Sequence, residues 1–415
     1  MNNNILNYFK IAIESLSKQK SRAILTMIAV AIGIASLIVM LASGDSLKQL
    51  ILGQIDMYGS NVINAEARVP GRGSQGSATD MATGISITTF KNSDVDAISK
   101  LNNVEAINSY VTSQEIIKYQ GENLVALIFG YGAFAPEIEK INIAQGRFYT
   151  EEEENSLSTV VVLGATIKEK LFGDKEAIGE TVYIRNKPFR VVGVVEKRGA
   201  VFFFDMDSII YLPTKTVQKS LLGTDYVLGV SVKVKDINKI NNTKEDIINL
   251  LRERHNIDDP DRDDFEVMTM IEAKEMTETV TNGITILLAT LAAISLVVGG
   301  VGITNIMYVS VVERTFEIGL RRSIGAKRKD ILYQFLTESI ILTFLGGILG
   351  IILALFLVFL IYTIANSYDL NWPFSISLGA IIFSIIFSIM VGLFFGVYPA
   401  RKAANVDPIE ALRKD

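Results

Sequence analysis

Cysteine is missing from this 415-residue chain, and histidine occurs once, as His255. Without thiols there is no disulfide framework, thiolate nucleophile or thiol-attached haem, and a single imidazole leaves no histidine/cysteine zinc site. The absence of cysteine suits a bacterial envelope protein. His255 has no zinc or triad partner within its own segment and is expected to be exposed at a helix end. One histidine also argues against a sensor histidine kinase, as does the absence of any cytoplasmic stretch long enough for a kinase domain. No GxxxxGKS/T loop occurs, so ATP, if it drives this protein, is hydrolysed by another chain. Nor is positive charge in excess. The 40 Lys+Arg stand against 45 Asp+Glu, a formal net charge of -5, and nucleic acid is therefore a poor partner.

Two partial motifs lack what their chemistry needs. Gly71, Gly73 and Gly76 have the spacing of a dinucleotide fingerprint, but no helix-forming pattern follows, and residues 69–84 read as a mobile Gly/Ser-rich loop. Asp259, Asp261 and Asp263 begin like a calcium loop. The sixth and twelfth positions hold Asp264 and Met270 instead of Gly and Glu, so the segment reads as a solvated acidic turn.

What the chain has in plenty is apolar residues, 49% of the total, unevenly placed. Residues 23–43 carry no charge and as a helix would reach about 30 Å, the thickness of a hydrocarbon core. This run is too long for a signal-peptide core, usually about 7–15 residues. Comparable runs return at 283–312, 331–364 and 374–398, giving four spans arranged one plus three. Basic residues cluster before residue 23, in 313–330 and after Pro399, while the loop 365–373 has none. The positive-inside rule then places both termini and 313–330 in the cytoplasm, and 44–282 outside the cytoplasmic (inner) membrane of a bacterium. That outer region is acidic, with short β-rich runs (158–164, 181–199, 207–213, 227–235) between helical stretches. Residues 92–101 suggest a helix capped by Asn92 or Ser93. In 242–257, Ile247, Leu250 and Leu251 share one face, and Glu151 to Glu154 after Thr150 form a first helical turn. The fold class expected is an α-helical membrane protein with four transmembrane helices and a large mixed α/β extracytoplasmic domain.

The loop 313–330 places Phe316, Leu320 and Ile324 on one helical face, pairs Glu317 with Arg321, and puts Gly325 where a helix would end. Such a helix either lies on anionic lipid or docks its apolar ridge in a groove of a cytoplasmic ATPase. Pro399 is expected to break the last span. Beyond it Asp407, Pro408 and Glu410 match an N-cap, first-turn proline and reciprocal acid, starting a second short helix in the tail 399–415. Small residues four apart, Ala29/Gly33, Gly346/Gly350 and Gly392/Gly396, suit close packing within a bundle or across a dimer. The polar exceptions in the spans are Asn305 and Glu338, read as an interhelical bond or a relay. For Glu338 the alternative is a side chain that reaches the interface.

The runs ERTFEIGLRRSIGA (313–326) and GLFFGVYPARKAANVDPIEALR (392–413) closely resemble the FtsX-like permease module of MacB-type ABC transporters. QGRFYTEEE (145–153), VVVLGATIKEKLFG (160–173), IGETVYIRNKPFRVVGVV (178–195) and HNIDDPDRDDFEV (255–267) resemble the MacB-type periplasmic core. The resemblance covers nearly the whole chain, without an N-terminal ATPase domain. It implies a homodimeric, non-enzymatic permease without a cofactor of its own, served by two copies of a separate ABC ATPase that holds ATP and magnesium, often with a periplasmic adaptor of the MacA kind. Its outer domain would have a porter-like α/β part and a β-rich insert, here near 115–225. The family's mechanism, mechanotransmission, would move the outer domains to expel substrate already outside the bilayer. Glu313, Arg314, Glu317, Ile318, Gly319, Arg321 and Gly325 match its ATPase-coupling segment, with the tail after Pro399 as a second contact. The alternatives of like topology are a lipoprotein-releasing permease of the LolC/LolE kind and an FtsX-like regulator of cell-wall hydrolases.

Overall fold

A computed structural model describes residues 20–56, 59–71, 87–201, 204–368 and 370–413. Most of the expected 69–84 loop, with Gly73 and Gly76, lies outside the described residues. In chain order the first elements are α1 (Lys20–Asp56), β1 (Val62–Ala67), α2 (Asn92–Ile98), β2 (Val104–Tyr119), β3 (Glu122–Tyr131) and α3 (Ala135–Ile138). There follow β4 (Ile143–Gly146), α4 (Glu151–Asn155), β5 (Val160–Leu163), α5 (Ala165–Phe172), β6 (Thr181–Ile184) and β7 (Lys187–Val195). The two-residue strands β8 (Ala200–Val201) and β9 (Phe204–Asp205) pair with each other. Next come β10 (Ile209–Pro213), α6 (Thr214–Thr216), β11 (Gly229–Val234), α7 (Ile240–His255) and β12 (Phe265–Thr269). The chain then runs through α8 (Met270–Glu313), α9 (Thr315–Ser323), α10 (Arg328–Ser367), α11 (Leu378–Ala404) and α12 (Pro408–Arg413).

The chain forms two compact units. One, the α/β unit, holds Leu50–Glu278 with Asp369–Asn371; the other, the membrane unit, holds the rest. In the α/β unit a ten-stranded sheet runs β12-β1-β11-β2-β3-β10-β5-β7-β4, with β6 paired to β2 and β7. Only β10/β3 and β5/β7 are parallel. Strands from within 115–225 and from outside it share this one sheet. The apolar run of β5 is explained by its position, buried on both faces: Val161 and Leu163 join one core with Ile128, Phe189 and Ile210, while Val160 and Val162 join Tyr149 and Tyr211 on the other. Helix α7 adds Ile247 and Leu251 to the first core, with Leu250 packed at its edge. Thr150 caps α4, its hydroxyl accepting from the Glu153 amide and the Glu153 carboxylate from its own. The expected Asn92 or Ser93 cap is corrected: Lys91 occupies that position, because the Asp94 carboxylate reaches back to accept the Lys91 amide at 2.7 Å.

Four helices of the described residues, α1, α8, α10 and α11, are long and apolar enough to cross a membrane. Each extends past its apolar run at one end or both. Pro399 does not break the last one. Helix α11 continues through it to Ala404, since the Phe395 carbonyl that proline leaves without its usual donor accepts the Thr304 hydroxyl of α8 at 3.0 Å. The glycines pack within the chain. A Cβ on Gly33 would meet Leu296, on Gly346 Val30, on Gly350 the Ala31 carbonyl, on Gly392 Thr343 and on Gly396 Ser339.

Candidate functional site

Helix α9 is separated from α8 by Arg314 alone, and its amphipathic sequence sorts as its spacing dictates. Ile318 and Gly319 are buried; Phe316, Leu320 and Ile324 are exposed. Gly325, at φ +106°, takes the backbone turn that ends the helix. The buried side packs on α12, so closely that a Cβ on Gly319 would stand 2.5 Å from that of Ala411. Arg322 donates to the carbonyls of Ala404 and Val406, at 3.3 and 2.8 Å, satisfying the end of α11. Asp407 caps α12 by accepting from the Ile409 amide at 2.8 Å, with Pro408 in the first turn and Glu410 behind it. Loop and tail, far apart in sequence, thus form one two-helix platform with exposed Phe316, Leu320, Ile324, Ile409 and Leu412.

A polar ladder fastens this platform to α10. The Arg321 guanidinium donates to Gln334 Oε1 at 2.7 Å and pairs with Glu317 at 2.7 Å. Glu317 also pairs with Arg314 at 3.0 Å, and Arg314 reaches Glu338 at 3.1 Å while lying over the Phe335 ring. Glu338 is thereby held within the bundle of described helices. Its side chain is 4% exposed, because Arg314 meets it inside the bundle. Glu313, next to Arg314 in sequence, is exposed. Asn305 stands exposed on α8 and makes no interhelical bond among the described residues. The sequence reading missed the Gly319–Ala411 contact and the Arg322 cap. A glycine in the middle of an amphipathic helix was the available signal for the first; nothing local marks the second.

Among the described residues of the α/β unit are two buried titratable clusters around His255 and Glu139. His255, expected to be exposed, is 8% exposed by its side chain. Its Nδ1 lies 2.7 Å from Asp264 and its Nε2 3.4 Å from Asp94, with Phe90 and Phe265 edge-on to the ring. The helix end is not solvent-facing because α7 ends against α2. Burial alone would raise the Asp94 carboxyl, but the Lys91 amide, Arg254 and His255 together hold it below its ordinary value. Glu139 is buried, one oxygen accepting from Asn108 at 2.7 Å and the other without a partner among the described residues. Burial pushes it up to about 7, against the hydrogen bonds of Tyr131 and Asn108 and the charge of Arg198.

The family profile described as the MacB-like periplasmic core domain matches residues 23–250, more than half of the chain, and that of the FtsX-like permease C-terminal matches 289–408. This chain belongs to the MacB-type permease family. Among the relatives of this MacB-type permease is the macrolide export ATP-binding/permease protein MacB of Bdellovibrio bacteriovorus, 36% identical over 407 residues. The alignment covers 96% of this chain and 60% of that one. The protein of the same name from Neisseria gonorrhoeae is 33% identical over 409 residues, covering 98% and 61%. The chain thus spans about 60% of the length of these relatives. Similar solved structures are the periplasmic region of MacB from Actinobacillus actinomycetemcomitans, at 25% identity, TM-score 0.46, covering 55% of this chain and 97% of that one, and the extracellular domain of YknZ from Gram-positive bacteria. The latter stands at 20% identity and TM-score 0.40, covering 50% and 100%.

Proposed function

We propose that this MacB-type permease is the membrane subunit of an ABC export system, in which the α9/α12 platform docks on a separate ATPase that holds ATP and magnesium. The observation that carries this reading is the platform itself: five large apolar side chains exposed on two short helices that are pinned to the ends of membrane helices. An apolar ridge of that kind fits a groove, and the ladder behind it keeps the ridge from rotating freely. The clustering of basic residues in the loops and tails supports a cytoplasmic platform and cytoplasmic termini, with the α/β unit outside. Two copies of the chain work with two ATPases, and an adaptor of the MacA kind completes the path outside the membrane. ATP-driven motion of the platform moves the α/β unit, which expels substrate from that side rather than carrying it through the bilayer.

The test is purification of the tagged full-length chain from its native membranes in detergent, followed by ATPase assay of what accompanies it. An ABC ATPase is expected in equal amount, and Leu320→Asp is expected to lower its recovery about tenfold or more with helix content unchanged, because a carboxylate cannot enter an apolar groove unpaired. Normal recovery with Leu320→Asp would remove the platform from the interface. An ATPase that co-purifies without stimulation by any exported compound would favour a regulator of cell-wall hydrolases.

A further inference from the structure

The ladder joins α9 to one helix in particular. Gln334 and Glu338 are four residues apart on α10, with Phe335 between them in the same cluster, so these α10 contacts lie on one stretch of that helix. Arg314 is the only residue between α8 and α9, and its side chain is 13% exposed. An arginine and a carboxylate held this deep among apolar helices resist separation, since either one left alone would be an uncompensated charge in a medium of low dielectric. Helix α10 in turn packs backbone-close against α1, through Gly346 against Val30 and Gly350 against Ala31 and Ile34, and against α11 through Ser339 and Gly392.

We infer that Arg314 and Glu338 are positioning residues forming a latch, which makes α9 and the cytoplasmic end of α10 move as one piece, so that displacement of the platform enters the bundle through α10. The inference rests on the docking reading above for what displaces the platform. The latch itself does not depend on it. Glu317 acts through Arg314, bridging it to Arg321 and so extending the hold along α9.

The test is hydrogen exchange of the full-length chain in lipid nanodiscs, first alone and then with whatever ATPase co-purifies. In the chain alone, Arg314→Gln and Glu338→Gln are each expected to speed exchange of the 315–323 amides about tenfold or more, with the sheet of the α/β unit unaffected. The exchanged pair Arg314→Glu with Glu338→Arg is expected to restore protection to within about threefold. With the ATPase bound, adding ATP and magnesium should alter exchange in 328–350 of the wild type and the exchanged pair, and leave it unaltered in the single variants even though they still hold the ATPase. Unchanged α9 protection in both single variants overturns the latch, as does a loss that the exchanged pair fails to restore. Failure of the wild type to bring down any ATPase would defeat the docking reading, and the measurements on the chain alone would still decide the latch.

Discussion

The two units of this protein sort their side chains in opposite ways. In the α/β unit the large apolar residues Ile63, Ile128, Leu163, Phe189 and Ile210 are fully buried, and the charged residues mostly face solvent. In the membrane unit Ile286, Phe356, Phe359 and Phe394 stand exposed, while Ser339, Thr343, Ser384 and Ser388 are buried between helices. The difference lies in the driving force. Water expels apolar surface from its contact, whereas lipid is indifferent to it, so helices in a bilayer are held by close approach of small residues and by hydrogen bonds such as Ser339 to the Gly392 carbonyl and Ser388 to the Thr343 carbonyl.

The sharpest way to break this comparison is the same deletion in both units. Phe189→Ala removes a fully buried ring from the sheet core and is expected to destabilise the α/β unit by about 3–5 kcal/mol. Phe394→Ala, at a site 77% exposed on α11, is expected to change stability by less than about 0.5 kcal/mol. Hydrogen exchange of the full chain reads both units separately. Equal costs would mean that something other than lipid covers Phe394.

A second difference is what each unit does with a buried acid. In the membrane unit the Glu338 carboxylate is paired with an arginine; in the α/β unit the Glu139 carboxylate is hydrogen-bonded by the neutral Asn108 and Tyr131, while Arg198 donates to its main-chain carbonyl at 3.3 Å, and burial raises the carboxyl from 4.5 to about 7. A folded-state value above the unfolded one means that the folded chain keeps this proton longer. The penalty is therefore absent below about pH 4.5, grows as pH rises, and is complete above about 7, where it amounts to about 3 kcal/mol by the value of one pKa unit. Glu139→Gln is expected to leave stability near wild type at pH 5 and to raise it at pH 8. An unfolding profile that keeps its slope between pH 5 and 7 in the variant would assign that slope to another group.

How much of this was legible beforehand follows the same division. The four apolar runs, the amphipathic α9 and the Asp407-Pro408 start of α12 depend on local sequence, and periodicity finds them. What escaped depends on partners distant in the chain. Pro399 has the local signature of a helix end, and only Thr304, across the bundle, lets the helix continue. His255 ends a helix, a position that predicts exposure, yet Asp94, more than 150 residues earlier, encloses it. Glu338 is polar in an apolar run, and its partner Arg314 lies 24 residues earlier, beyond the reach of local periodicity.

The most direct test of the packing argument is a single methyl group. A Cβ on Gly392 would come within 2.2 Å of the Thr343 hydroxyl oxygen and 2.9 Å of its methyl carbon, where α10 and α11 pack closely. Gly392→Ala is therefore expected to cost about 1–3 kcal/mol by overpacking, despite the better helix propensity of alanine. Adding Thr343→Ala should return much of that loss, since it removes both atoms in conflict, and a double-mutant cycle measures the return. Gly302 on α8 is the control, because a Cβ there meets nothing within 4 Å of its own chain. Gly302→Ala should then be neutral or stabilising by up to about 1 kcal/mol. It lies one helical turn from exposed Asn305, so a destabilising Gly302→Ala would mean that this face of α8 is covered by another helix, and would make a second copy of the chain the first candidate to cover it.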